Sequence, residues 1–342
     1  MSTPGEPFGD TPDGYSTRLY TLENSALRVR ITDFGGRIVS LEMRESEGGW
    51  FDALLGFDDA AQYAKAGGAF GALLGRNANR IARGELTIDG RQYRLAANDR
   101  GATLHGGPKG FDMVLWQVRA VGRDELLLAY VSPDGDQGFP GELRVEAHYR
   151  IRGAALLLEL RAETSAPTVV SLSAHPYLNL GGAGSGDILD DEVTIAADRF
   201  LPTDATQIPT GEIRAVDGTL FDFRQPAAIG ARIRQTDPQL LNGQGCDHYY
   251  VLGTKTGPEP RFAARARDPR SGRYVEIHTT QPGLQFYSGN FLDGHPFPHR
   301  GGLCLETQHF PDSPNHPGFP STVLRPGETF RSRTLLRFTA NG

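Results

Sequence analysis

The sequence lacks most of the marks by which common function classes are recognised. It has no GxGxxG after a strand pattern and no GxxxxGK[ST], which argues against nucleotide-binding α/β folds. No apolar run approaches the roughly 18 residues of a membrane span. Basic charge is not in excess: 35 Lys and Arg stand against 41 Asp and Glu, a formal net charge of -6. Nucleic acid and anionic membranes both need a basic footprint, so neither is expected as a partner. Cysteine is confined to Cys246 and Cys304, too few for a disulfide framework or a zinc motif. Both are expected as reduced thiols in a cytoplasmic protein. The stretch MSTPGEPFGDTPDGYST has neither a basic start nor an apolar core, so it does not read as a signal peptide. A flexible lead-in is expected over residues 1–15. Helical patterns are scarce, no repeat of 20–50 residues is evident, and no Pro/Ser-rich linker divides the 342 residues.

Strand patterns fill the space that is left. ELTIDGRQYRL alternates Leu86 and Ile88 with Tyr93 and Leu95 around Asp89-Gly90, a strong hairpin signal. LRVEAHYRIRGAALLLELRAE alternates from Leu143 to Ile151, turns near Gly153 and continues through Leu156, Leu158 and Leu160. RFAARARDPRSGRYVEIHTT reads as a third hairpin, and STVLRPGETFRSRTLLRF as a last pair turning at Arg325-Pro326-Gly327. The best helical stretch, FDDAAQYAKAGGAFGALL, is interrupted at Gly67-Gly68. The expectation is all-β: one large antiparallel domain of packed sheets over residues 16–342.

Polar residues with chemical potential sit at strand ends or beside Gly and Pro breaks. In GGLCLETQHFPDSPNHPGFPST, Leu303 and Leu305 share one strand face, and Cys304 and Glu306 share the other. With the leucines in a core, Glu306 points out of the sheet, either into solvent or onto a concave face. Partial burial there would raise its pKa and make it a usable base. His175 lies in SLSAHPYLNL, held extended by Pro176, and suits a general acid or a structural bond to a carbonyl. His105 precedes Gly106-Gly107, where a ligand can approach the backbone, or where the chain merely turns. Asn79 and Arg80, with Arg76 near, can bind sugar hydroxyls or a carboxylate, or be solvated. Asp247 stands at the mouth of the apolar run from Tyr249, and Gln281 at a strand end before Pro282-Gly283. His, Asp, Glu, Arg, Asn and Gln without a metal or nucleotide motif suggest a neutral, hydroxyl-rich ligand.

These segments resemble those of the galactose mutarotase, or aldose 1-epimerase, family. The resemblance runs in order through GRNANRIARGELTIDGRQYRL, NDRGATLHGG with GFDMVLW, SAHPYLNL, LPTDATQIPTGEI, DHYYVL, TQPGLQFYSGNFLDG and GLCLETQHFPDSPNHPGFPSTVLRPGE, from about Gly75 to Glu328. It implies a large antiparallel β-sandwich with an open sugar cleft, and interconversion of the anomers of free aldoses such as galactose and glucose, without cofactor or metal. It implies Glu306 as catalytic base, His175 as catalytic acid and His105 as a supporting histidine. Asn79, Arg80, Tyr177, Asp247 and Gln281 are similar to the family's sugar contacts, with Arg80 favoured over Arg76. Met113 stands where the family commonly has Lys and is expected to lie outside the chemistry. A monomer or homodimer is expected. Three alternatives remain at this point: a sugar-phosphate epimerase using Arg76, Arg80 and Arg83, a non-catalytic sugar-binding or regulatory protein, and a lyase or glycosidase, the latter using Asp247 with Glu306.

Overall fold

The computed structural model describes residues 5–45, 48–253 and 257–339. Period-two patterning becomes sheet almost throughout. A nine-stranded antiparallel sheet runs in the order Gln117–Val121, Glu125–Ser132, Leu143–Arg152, Ala155–Thr164, Phe330–Thr339, Tyr274–Thr279, Arg261–Arg267, Glu192–Ile195, Ala227–Ala228. A five-stranded meander, from Glu6–Asp10 to Trp50–Asp52, keeps sequence order. A second five-stranded sheet orders Arg214–Ala215, Arg199–Leu201, Asp247–Val251, Gly283–Tyr287 and Cys304–Gln308; it is called the cleft sheet below. Alternating residues of all three sheets meet in one apolar cluster. Leu126, Tyr149, Leu158 and Ile277 of the large sheet pack there with Leu284, Phe286 and Leu305 of the cleft sheet and Val29 and Ile31 of the meander. Burial on this scale, at about 25 cal/mol per Å² of apolar surface, fixes which face of each strand looks inward.

Three of the four expected hairpins form: Glu85–Ile88 with Arg91–Arg94, Leu143–Arg152 with Ala155–Thr164, and Arg261–Arg267 with Tyr274–Thr279. The fourth does not. Val323–Leu324 pairs with Thr168–Val169, while Phe330–Thr339 inserts between Ala155–Thr164 and Tyr274–Thr279. Arg325-Pro326-Gly327 is therefore a turn between two sheets. Local pattern marks the turn but cannot show that the long strand has two better partners elsewhere.

The flexible lead-in is also corrected. Residues 1–4 lie outside the described residues, but Glu6–Asp10 pairs with Ser16–Glu23, and Phe8 is buried against Leu19 and Tyr63. One inward aromatic is enough to tie this segment down. The helix Ala60–Ala66 forms as patterned, capped by the Asp59 side chain on the Gln62 N–H and ended at Gly67, whose φ of 64° suits glycine. No helix among the described residues is long and apolar enough to cross a membrane.

Candidate active site

Glu306 sits mid-strand in Cys304–Gln308, a strand buried along its whole length. Leu303 and Leu305 enter the core, which turns Cys304 and Glu306 to the opposite face. Register then decides their neighbours. Glu306 stands opposite Gln285, which stands opposite Tyr249; Cys304 stands opposite Tyr287, which stands opposite Asp247. Residues paired across strands share a face, so these six form two rows on the cleft side of the sheet. The cleft has a volume of about 440 Å³, and its lining includes Asn79, Arg80, His105, His175, Tyr177, Asp247, Tyr287, Phe291 and Glu306. That volume lies within the range of small-molecule sites, roughly 300–1,000 Å³. Met113, expected away from the chemistry, also lines the wall. Glu306 is only 2% exposed, more enclosed than a half-shielded strand end.

His175 is fastened through its backbone: its N–H donates to the Ala72 carbonyl at 2.9 Å, and its carbonyl accepts from the Gly71 N–H at 2.9 Å. Its ring is wedged among others. Tyr177 stacks on it at 4.9 Å, Phe70 stacks on Tyr177 at 4.2 Å, and the Tyr177 hydroxyl donates to the Gly68 carbonyl at 3.1 Å. So held, His175 Nε2 lies 3.6 Å from Glu306 Oε1, and Nδ1 lies 3.3 Å from the Cys304 sulfur.

His105 and Asn79 are tied to one another. The His105 N–H donates to the Asn79 carbonyl, and the Asn79 N–H donates to His105 Nδ1 at 3.2 Å. Both residues have positive φ, 53° and 63°. Gly106 explains the tight turn that follows: at φ 94° a Cβ there would fall 1.9 Å from the Gly75 carbonyl oxygen. The His105 ring meets that of His175 edge-on, with centroids 5.3 Å apart.

A chain of polar contacts backs the other wall, where Arg80 and Asp247 line the cleft. Arg80 Nε donates to Asp99 at 2.7 Å, and Arg80 Nη2 donates to Gln207 Oε1 at 2.8 Å. Gln207 Nε2 donates to Asp247 Oδ2 at 2.6 Å, and Gln285 Nε2 donates to Asp247 Oδ1 at 2.6 Å. Seven of the eight residues singled out in the sequence thus line one cleft. Gln281 does not. It borders a separate groove of about 560 Å³, with His309 and Phe330, beside the outer face of the nine-stranded sheet. That groove is larger, but its charges answer one another, Arg161 to Glu146 and Arg333 to Glu159. The glutamine on the cleft side of the sheet is Gln285, four residues on, which stands opposite Glu306 and holds Asp247 from behind the lining residues. Alternation within GLQFY carried the signal, since Gln285 and Tyr287 share a face away from Leu284 and Phe286. Gln207, in LPTDATQIPTGEI, was not singled out at all. Arg76 is buried elsewhere, donating to Ser132, Pro133, Pro140 and Gly141.

Burial sets the electrostatics. It pushes Glu306 well above the usual carboxylate range; Asp247 adds to the shift and Arg80 opposes it. Burial lowers His175 to about 4, not near 7 as a free-standing acid would suggest. His105 is held well below its ordinary value by burial, then by His175 and Arg80. Two acceptor atoms on this face, Glu306 Oε2 and Gln285 Oε1, are buried and receive no hydrogen bond from the described residues. Ligand atoms of His105, His175 and Glu306 lie within 4.8 Å of one another, a spacing that could hold a metal ion. The donor chemistry fits poorly. Nδ1 of neutral His105 accepts the Asn79 N–H, so Nε2 carries the proton, whereas a ligating ring keeps that nitrogen bare.

The aldose 1-epimerase family profile matches residues 18–337. The chain belongs to the aldose 1-epimerase family. The chain is 45% identical over 340 residues to the galactose mutarotase of Bos taurus, covering 97% of each chain. It is 38% identical to the aldose 1-epimerase of Escherichia coli over 339 residues, covering 96% of this chain and 97% of that one. Among solved structures, an aldose epimerase homologue from C. elegans superposes with a TM-score of 0.85 at 27% identity, covering 95% of this chain and all of that one. The galactose 1-epimerase from Lactobacillus acidophilus also gives 0.85, at 25% identity, covering 99% and 100%. The β-sandwich of this aldose 1-epimerase family member is thus the fold of its relatives.

Proposed function

We propose that this chain is an aldose 1-epimerase, interconverting the α and β anomers of free aldohexoses such as galactose and glucose. The observation that carries the reading is the His175–Glu306 pair, 3.6 Å apart on the floor of the cleft. Ring opening moves two protons. Glu306 takes the proton of the C1 hydroxyl, the C1–O1 bond becomes a carbonyl, the bond from C1 to the ring oxygen breaks, and His175 Nε2 protonates that oxygen. The aldehyde turns by half a rotation about C1–C2, and reclosure on its other face returns both protons. An ionised Glu306 with a protonated His175 becomes, on ring opening, a neutral acid and a neutral imidazole. Burial favours that neutral state, and each positioned transfer is worth on the order of 10² to 10⁴ in rate.

The remaining residues orient the ring. His105 offers Nε2–H to the ring oxygen. Asn79, Arg80 and Asp247 hold hydroxyls against rotation, with Gln285 holding the Asp247 carboxylate in place. Glu306 lines the cleft, and its Oε2 is an acceptor that receives no hydrogen bond from the described residues, which suits a ligand rich in O–H donors. Tyr177 acts through the stack that orients His175. The two buried thiols suit the cytoplasm, and a monomer or a homodimer is the expected assembly. A sugar phosphate is the lesser reading. Arg76 is spent on four backbone carbonyls and Ser132, Arg80 is paired with Asp99, and Arg83 lies outside with Glu85. Arg76, Arg80 and Arg83 therefore leave no cluster of free cations for a phosphate among the described residues.

The test is polarimetry on fresh α-D-galactose and α-D-glucose. The protein should speed the approach to the unchanged final rotation. Glu306→Gln should lower kcat roughly 10² to 10⁴-fold with little change in sugar affinity. Wild-type turnover in that variant would sink the assignment of the base.

A further inference from the structure

We propose that Cys304 is a positioning residue: its sulfur accepts the Nδ1–H of His175 and so leaves Nε2 as the nitrogen that exchanges the proton. The inference rests on His175 as the proton donor of the proposed function. A histidine that gives a proton from Nε2 and takes it back there must keep its Nδ1 proton through the whole cycle. In a buried site that N–H needs an acceptor, because an unpaired buried donor is costly. The Cys304 sulfur stands 3.3 Å from Nδ1, and it is fully buried. The carbonyl of His175 is the competing acceptor: it interacts with its own ring, which opposes the effect of burial, but it also accepts the Gly71 N–H at 2.9 Å. The Tyr177 stack fixes the ring plane, so Nδ1 cannot swing to another partner.

The choice of sulfur has a chemical reason. A carboxylate at this position would stabilise the imidazolium and make His175 a stronger base. Its proton would then be harder to give away. A neutral thiol is a weak acceptor, so it orients the ring without adding much basicity. Burial keeps the thiol protonated, since it holds Cys304 well above its ordinary value. Cys304 and Glu306 are also two residues apart on one strand face. One register therefore sets both the base and the group that orients the acid.

The experiment compares Cys304→Val and Cys304→Ala with Cys304→Ser. Valine overfills the site and alanine underfills it, so an effect common to both is chemical and not steric. Long-range 1H–15N NMR reads the ring tautomer of His175, its signals identified by their loss in His175→Gln. Polarimetry reads kcat and KM. Valine and alanine should both deplete the Nδ1–H tautomer and lower kcat about tenfold, with KM within about twofold of wild type. Serine, whose hydroxyl can accept, should restore both. Either variant keeping the Nδ1–H tautomer together with full turnover would overturn the proposal. So would a fall in turnover with the tautomer intact, which would assign the effect to packing. A wild-type protein inert toward aldoses would defeat the proposed function, while the NMR measurement would still decide the hydrogen bond.

Discussion

At the scale of single residues, Glu306 and His175 titrate as one unit, and the active unit carries one proton. A second proton goes on as pH falls through about 4, where burial has put His175. The shared proton leaves only well above the usual carboxylate range, where burial and Asp247 have put Glu306. The profile of kcat/KM against pH should therefore be bell-shaped, with its acid limb near 4 and its alkaline limb far above that of an ordinary glutamate. Glu306→Gln should remove the alkaline limb from whatever activity remains. Stopped-flow polarimetry across pH checks both limbs, and an acid limb near 6.5 would mean that His175 is not desolvated as the cleft implies. The sequence made Glu306 and His175 candidates through residue type and strand face. It could not show how deeply each is buried, because burial depends on what covers the strand. This is why burial holds a histidine suited to neutral pH down at about 4. The choice of Gln281 over Gln285 has a similar origin. A glutamine before Pro-Gly stands out in the sequence, whereas one between Leu284 and Phe286 passes for part of a core strand until its partner Glu306 is known.

At the scale of elements, the turns carry the precision of the site. Gly106 and Gly90 both have positive φ, 94° and 79°. A Cβ on Gly106 would strike the Gly75 carbonyl, while one on Gly90 meets nothing within 4 Å. Gly90→Ala should cost about 1 kcal/mol, the backbone strain alone. Gly106→Ala should cost at least about 2 kcal/mol more and displace His105, lowering turnover as well. Thermal unfolding and polarimetry on the two variants check the contrast; equal losses would mean that the turn after His105 can relax. Elements of this kind were legible where partner strands are adjacent in sequence, as in the Asp89-Gly90, Gly153 and Asp268-Pro269 hairpins. They were illegible where partners are distant. Phe330–Thr339 and Glu6–Asp10 show the two failures, one a strand given the wrong neighbour and the other a strand not seen at all.

At the scale of the whole molecule, buried titratable groups of opposite kinds offset one another. Burial lowers His175 and His309 to about 4 and His248 to about 3. Each adds stability that is present above the unfolded value near 6.5 and is lost as pH falls toward its folded value. Burial raises Asp33 and Asp52 to about 6, and Asp191 to about 8 with help from Asp268. Each of these adds stability that is present below the unfolded value and is lost as pH rises toward its folded value. Between about pH 4 and 6 the two trios have opposite slopes of about 1.4 kcal/mol per unit and group. Asp191 is 2% exposed, and its Oδ2 receives no hydrogen bond from the described residues. Asp191→Asn should stabilise the protein by about 4 kcal/mol at pH 7, with the gain vanishing near pH 4. Chemical denaturation at the two pH values measures this, and a gain independent of pH would show that Asp191 is not the neutral acid that burial implies.

The place of Phe330–Thr339 at the middle of the large sheet also sets the order of assembly during synthesis. Until that strand has left the ribosome, Ala155–Thr164 and Tyr274–Thr279 are two open edges without their common neighbour. The strand bearing Glu306 is made earlier, yet the core behind it lacks Leu336 and Phe338 until the segment arrives. Translation at about 5–20 residues per second therefore delivers the base before the sheet that supports it. A chain ending near residue 325 should remain protease-sensitive and inactive whether stalled on the ribosome or released, whereas the full-length chain should gain protease resistance and activity together on release.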